Sequence, residues 1–238
     1  MTADVGYTHE DHVFRREDPY ARAKYDLTTR WLHEAHRSSG TLFHVGCGSG
    51  VFNTTATALG FTVRAFEPDP AAAALAQLEA PAGLTIEPRP LADIAGEGVA
   101  DVIVMHDVLE HIEDDAAAVD DLRRLVRDDG TVILSVPALP SLFGFHDEQL
   151  GHHRRYTKST LRAVVEPRFQ VDRLRYFGFS FIPLTFTVSK VLRRPYPTAS
   201  VGPNDGLAGR TFAGLCRLEE RVRPPLGTSL LAELSPRC

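Results

Sequence analysis

The stretch Phe43-His44-Val45-Gly46-Cys47-Gly48-Ser49-Gly50 (FHVGCGSG) ends an apolar run in a turn with glycine at every second position. Glycine adopts left-handed backbone at little steric cost and lets the main chain approach a ligand closely. A helix beginning near Val51 points its unpaired N–H groups at whatever the turn holds. Spacing separates the candidate ligands. Dinucleotide folds favour Gly-x-Gly-x-x-Gly, whereas here the third glycine comes one residue early. The next strand-like run, FTVRAFE (61–67), ends in Glu67 followed by Pro68, placing a carboxylate where two ribose hydroxyls need an acceptor. A nicotinamide-dependent oxidoreductase, which also uses a glycine turn and an acidic strand end, is the rival reading.

Working outward, strand-like runs alternate with helical patterns. The strands are TLFHV (41–45), FTVRAFE, LTIEP (84–88), DVIVM (101–105), TVILSVP (131–137), FQVDRLRYF (169–177) and SLLAEL (229–234). Between them, 70–79 is alanine-rich, and Val119, Leu122, Leu125 and Val126 form an apolar stripe ending at the turn Asp128-Asp129-Gly130. Asp18-Pro19 reads as a helix start, with Leu27, Trp31 and Ala35 on one face. Helical spacing also joins Phe212, Leu215, Glu219 and Val222, after a turn-rich segment at 198–206. Alternation of apolar strands with helices predicts an α/β fold of the doubly wound, Rossmann-like kind, with a mostly parallel seven-stranded sheet and helices on both faces.

At 238 residues, 43% hydrophobic and 24% charged, the chain is expected to form one domain over 1–238, with a helical cap at about 18–38. A net charge of −5 gives no reason to expect nucleic acid and points to a small-molecule partner. Cys47, Cys216 and Cys238 form neither a disulfide framework nor a zinc pattern. No stretch is long and apolar enough to span a bilayer, so the expected location is the cytoplasm; the oligomeric state is open.

Four segments in order, VGCGSG, AFEPD, DVIVMHDVLEHIED and RDDGTVILSVPA, resemble the class I S-adenosylmethionine-dependent methyltransferases of the small-molecule O- and N-methyltransferase group, over about residues 40–165. The resemblance implies S-adenosylmethionine as cofactor and a last strand inserted antiparallel. It further implies that Gly46, Cys47, Gly48 and Gly50 line the methionine part, that Glu67 with Pro68 meets the ribose, that Leu91 offers backbone to the adenine, and that His106 lies near the sulfonium. Two positions depart from the family pattern: His44 stands where an acidic residue is common, and Pro90 where many members have Asp. His44 is read as a space-filler under the turn.

The acceptor side is expected in the connection at about 138–160, whose HDEQLGHHRRYTKSTL run (146–161) holds more chemistry than a minimal sheet requires. Methyl transfer needs an in-line lone pair, and a hydroxyl acceptor also needs a base, which histidine supplies at neutral pH. His146, paired with Asp147, and His152 are candidate bases, with His111 from LEHIED second to them. His153, Arg154, Arg155 and Tyr156 are candidate substrate contacts, or else ties between the loop and nearby carboxylates. His111, Glu113, Asp114, His146 and Asp147 are the conceivable metal donors, but no diagnostic spacing supports them and no metal is expected. The apolar FGFSFIPLTF (177–186) is either core or the wall of a pocket for a partly apolar or glycosylated acceptor. The expected activity is methyl transfer to oxygen or nitrogen of a small molecule in specialised (natural-product) or cell-envelope metabolism. The alternative is a degenerate fold that binds without turnover.

Overall fold

The computed structural model describes residues 16, 18–194 and 206–237. Its sheet has seven strands: β1 (Gly40–Val45), β2 (Phe61–Phe66), β3 (Ile86–Glu87), β4 (Ala100–His106), β5 (Val126–Pro137), β6 (Phe169–Phe177) and β7 (Ser229–Pro236). Their order is β3-β2-β1-β4-β5-β7-β6, parallel except that β7 runs antiparallel to both β5 and β6. The order reverses between β1 and β4, so the cleft beyond their carboxyl ends is the topological switch point. The described helices of a turn or more are α1 (Pro19–Glu34), α2 (Val51–Ala58), α3 (Pro70–Leu78), α4 (Asp115–Leu125), α5 (Phe145–Leu150), α6 (Lys158–Val165), α7 (Ile182–Thr185) and α8 (Gly206–Arg221).

Period-two alternation along the central strands builds two cores. Phe43, Val45, Ile103, Met105, Val132 and Leu134 face the layer containing Leu122 of α4 and Leu161 of α6. Leu42, Val102, Val104 and Ile133 face the opposite layer, with Leu27 and Trp31 of α1, Phe52 of α2 and Cys216 of α8. Both faces of the sheet are therefore covered, which is why the strands read as nearly continuous apolar runs. Helix starts are set by acids: Asp18 accepts from Tyr20 N (2.9 Å), Asp69 from Ala71 N (2.7 Å) and Asp114 from Ala117 N (2.9 Å).

Several boundaries differ from the sequence expectation. The run at 84–88 keeps only Ile86–Glu87 as strand. Val126 caps α4 and opens β5 instead of extending the helix, and the Asp128-Asp129-Gly130 segment is an excursion of that strand, between the pairs Ala100↔Val126 and Val102↔Thr131. Ala35 is the C-cap of α1, and Val222 lies just past α8 and is exposed. The 146–161 connection contains helix α5 and the start of α6. The turn-rich segment at 198–206 falls, apart from Gly206, outside the described residues, as does Cys238.

Glu219 joins the last helix to the sheet. Its buried carboxylate accepts from three consecutive backbone donors, Gly178 N (2.6 Å), Phe179 N (2.9 Å) and Ser180 N (2.7 Å), just past β6. Arg175 answers from β6 by donating to the carbonyls of Glu219 (2.6 Å), Glu220 (3.2 Å) and Val222 (2.5 Å), where helix carbonyls lack partners. Glu219→Ala strands three donors at once and is expected to lower unfolding stability by about 2–4 kcal/mol in urea titration. A loss below about 0.5 kcal/mol would show that water replaces the carboxylate and that the clasp contributes little.

Candidate active site

The glycine turn has the geometry its spacing predicts. Gly46, Gly48 and Gly50 all take positive φ, at 65°, 52° and 74°. A Cβ on Gly46 would lie 2.3 Å from Val108 Cγ2, so this glycine is required by close packing against the turn after β4. A Cβ on Gly48 would meet nothing within 4 Å: the turn opens onto a cradle there. The turn is fastened to β2 through Cys47 N, which donates to Phe66 O (2.9 Å), and to Glu67, whose Oε2 accepts from Gly48 N (2.8 Å). Asp69 N donates to Glu67 Oε1 (3.2 Å), so two backbone donors orient the carboxylate without exhausting its acceptor capacity. Pro68 is exposed between Glu67 and the cap of α3. Burial and the Glu67 charge push the Cys47 thiol up to about 12, which leaves its backbone, not its sulfur, as the contribution to the site. Leu91 opens a 3₁₀ turn, Leu91–Asp93, past β3, with its side chain in the core. These groups all lie at the carboxyl edge of the sheet.

Two histidines at this edge are held neutral inside the protein. His44 is 1% exposed, its Nδ1 is 2.7 Å from Asn53 Oδ1, and it packs edge-on to Phe52. Burial lowers its pKa to about 4 against the opposing hydrogen bond from Asn53. It pins β1 to α2 and fills space under the turn, as the sequence reading held. His106 pairs through Nε2 with Thr28 Oγ1 (2.9 Å), while its buried Nδ1 has no hydrogen-bond partner among the described residues. Burial, then the charge of Lys24, lowers its pKa to about 3.

Next to His106 lies a group that the sequence reading missed. Asp107 is a non-glycine residue at φ 53°, ion-paired with Lys24 of α1 and hydrogen-bonded by Ser135 Oγ (2.9 Å to Oδ1). Burial raises its pKa, but the charge of Lys24 and the hydrogen bonds from Lys24 and Ser135 outweigh this and bring it to about 2. Glu110, also missed, is fully buried; among the described residues neither carboxylate oxygen has a hydrogen-bond partner, and burial followed by the charge of Asp107 raises its pKa well above the usual carboxylate range. No local motif flags either residue. Lys24 lies 83 positions from Asp107, and only the fold brings them together.

On the acceptor side the structure gives Asp147 to His152, where the sequence reading had paired it with His146. Asp147 is fully buried; its Oδ1 meets His152 Nδ1 (2.9 Å) and Arg155 Nε (2.7 Å), and its Oδ2 accepts from Gly144 N (2.9 Å). Burial raises the Asp147 pKa, yet the hydrogen bonds from His152 and Arg155 dominate and leave it at about 2. His152 Nε2 lies 3.9 Å from Glu110 Oε1, and the exposed His111 packs edge-on beside it at 4.6 Å. Glu110, His111 and His152 thus bring potential ligand atoms within 4.8 Å of one another. Of the metal donors considered from sequence only His111 belongs to this group; Asp114 is the cap of α4. His146 donates its backbone N–H to Ser189 Oγ (3.2 Å) and His153 its own to Glu110 O (2.8 Å), docking the segment on the turn after β4. Arg154 pairs with Asp115 (2.8 Å), and Tyr156, 2% exposed, donates to the same carboxylate (2.9 Å). Arg155 and Tyr156 are buried ties of the segment. Of the 177–186 run, Phe177 and Phe181 are core, whereas Phe179, Leu184 and Phe186 are exposed.

An open depression of about 800 Å³ lies at the opposite, amino edge, lined by ions such as Arg123 and Asp128 (2.6 Å apart), remote from Glu67. Among the described residues, no helix is long and apolar enough to cross a membrane.

The family profile described as a methyltransferase domain matches residues 14–179. The chain belongs to this family. A ubiquinone biosynthesis O-methyltransferase of Paraburkholderia xenovorans is 29% identical over 148 residues, covering 50% of this chain and 62% of that relative. The chain thus spans less than two thirds of that curated relative's length. Two solved structures share the fold. The magnesium protoporphyrin IX methyltransferase of Synechocystis superposes with TM-score 0.61 at 17% identity, covering 92% of this chain and 84% of that one. The 1,6-didemethyltoxoflavin N1-methyltransferase of Burkholderia thailandensis gives 0.58 at 16%, covering 95% and 81%.

The neutral state of His44 has a consequence for stability. The unfolded chain binds a proton near pH 6.5 that the folded protein refuses until about pH 4, so folding is penalised as pH falls through this window. Relative to His44→Gln, the native protein should lose about 2 kcal/mol of unfolding free energy between pH 7 and pH 4.5, measured by urea titration of both proteins at each pH. Parallel pH dependences would show that His44 titrates normally.

Proposed function

We propose that the domain transfers a methyl group from S-adenosylmethionine to a hydroxyl oxygen of a small, partly apolar molecule. The cradle suits this cofactor: Gly48 opens onto empty space, Glu67 is oriented at the neighbouring strand end, and His106 keeps an orphaned, buried Nδ1. Gly46, Cys47, Gly48 and Gly50 would hold its amino-acid end through backbone, Glu67 its ribose diol, and Leu91 its base. When bound, the cofactor supplies an electrophilic methyl group on a sulfonium.

The observation that carries the choice of oxygen is the His152–Asp147 dyad. A hydroxyl becomes a competent nucleophile as its proton leaves, and His152 Nε2 is the atom to receive it. Asp147, fixed by Arg155, holds the imidazole ring in place through Nδ1, while Glu110 beside Nε2 has its pKa raised well above the usual carboxylate range by burial. Exposed Phe186 opens the helical turn Phe186–Val191, whose Ser189 accepts from His146 N, and exposed Phe179 and Leu184 precede it in the chain. They favour an acceptor with apolar surface, which is consistent with a hydroxylated intermediate of specialised or cell-envelope metabolism.

Incubation with methyl-labelled S-adenosylmethionine and a panel of phenolic, sugar and amine acceptors tests the reading. The expected products are O-methyl ethers, and His152→Ala should lower turnover by about 10²–10⁴-fold while affinity for S-adenosylhomocysteine stays within about twofold. Products methylated only on nitrogen would contradict the choice of atom. Tight S-adenosylhomocysteine binding with no transfer to any acceptor would favour the non-catalytic alternative.

A further inference from the structure

We propose that Asp107 receives the α-ammonium of S-adenosylmethionine, the task that an acid at the His44 position would otherwise perform. The inference rests on the cofactor reading above. His44 cannot fill this place: it is sealed beneath the turn, neutral, and committed to Asn53. Glu67 stands at the far side of the turn, where it braces Gly48 and Asp69.

Asp107 comes to the glycine turn through sheet register. β1 and β4 pair in parallel with His44↔Val104 and Val45↔Met105, so Gly46 is level with His106 and Asp107 follows alongside Cys47. Contact between the two turns is direct, since Val108 fills the space a Gly46 Cβ would need. The left-handed backbone of Asp107 is costly for a residue with a side chain, and such strain concentrates where a side chain must be aimed. The pair it forms with Lys24 is asymmetric. The Asp107 side chain is 40% exposed and that of Lys24 is 4% exposed, so the carboxylate faces the cleft and the amine lies underneath. The ammonium of a zwitterionic amino-acid end therefore meets the negative member of the pair. Lys24 and Ser135 are positioning residues that keep Asp107 ionised and aimed; among the described residues Asp18, His106, Glu110 and Tyr20, whose ring centroid is 5.2 Å from Lys24 Nζ, are further titratable groups around them, and His106 is neutral.

The test compares two probes by calorimetry: S-adenosylhomocysteine, and its des-amino analogue 5′-S-(3-carboxypropyl)-5′-thioadenosine, which keeps the carboxylate. The native protein should prefer the amino-bearing probe by about tenfold or more, as a charge-assisted hydrogen bond implies. Asp107→Asn should abolish that preference while leaving affinity for the des-amino probe within about twofold. The double variant Lys24→Met/Asp107→Asn, which strands no buried charge, should abolish it as well, and so guards against misfolding of the single variant. Equal weakening of both probes, or a preference that survives in either variant, overturns the assignment. A native protein that binds neither probe overturns the cofactor reading itself and this inference with it.

Discussion

The carboxylate of Glu67 holds the candidate site in shape. It accepts from Gly48 N at 2.8 Å and from Asp69 N at 3.2 Å, and thereby ties the loop after β1 to the loop after β2. Both loops sit at the end of the sheet where strand order reverses, and neither has enough apolar surface to fix itself. Charge-assisted bonds to backbone N–H groups are among the stronger polar contacts a protein makes, so a single side chain can set the width of the cleft.

Acid–base character is distributed along the carboxyl edge by burial and pairing, not by residue type. His44 and His106 are stripped of water, remain neutral and serve as packing and hydrogen-bonding groups. His152 is held through Nδ1 by Asp147, whose own pKa is brought down by the hydrogen bonds from His152 and Arg155. Among the acids, Asp107 and Asp147 are held below the usual carboxylate range by the groups paired with them, whereas Glu110, whose oxygens have no hydrogen-bond partner among the described residues, is raised above it by burial. The candidate cofactor-side residues thus come from β1 to β4 and the turns that follow them, and the candidate acceptor-side residues from the connection after β5, which is tied by His153 N to Glu110 O of the turn at Leu109–His111.

Much of this was legible in the sequence because it rests on local chemistry. Glycine spacing, the acid at the end of the second strand and the apolar strands report on adjacent residues; the glycine turn and Glu67 stand where the sequence placed them, and all seven strands form, with shifted bounds for the third and fifth. The inserted antiparallel strand was legible only through family resemblance, since nothing in SLLAEL encodes its partners. The Lys24–Asp107 pair and the choice of His152 over His146 as partner of Asp147 were not legible. The first joins segments 83 positions apart, and a buried lysine on an amphipathic helix reads like any polar residue; the second depends on how the chain turns after α5 to bring His152 back onto Asp147, five positions earlier. Val126 was misread because an apolar residue at helical spacing is equally suited to open a strand.

The most direct measurement is calorimetric titration of S-adenosylhomocysteine into the native protein and into Glu67→Ala and Glu67→Gln. If Glu67 both braces the turn and meets the ribose, Glu67→Ala weakens binding by about 1.5–3 kcal/mol, and Glu67→Gln, which keeps one acceptor oxygen, falls between it and the native protein. Native affinity in both variants would place the nucleoside elsewhere and contradict the account.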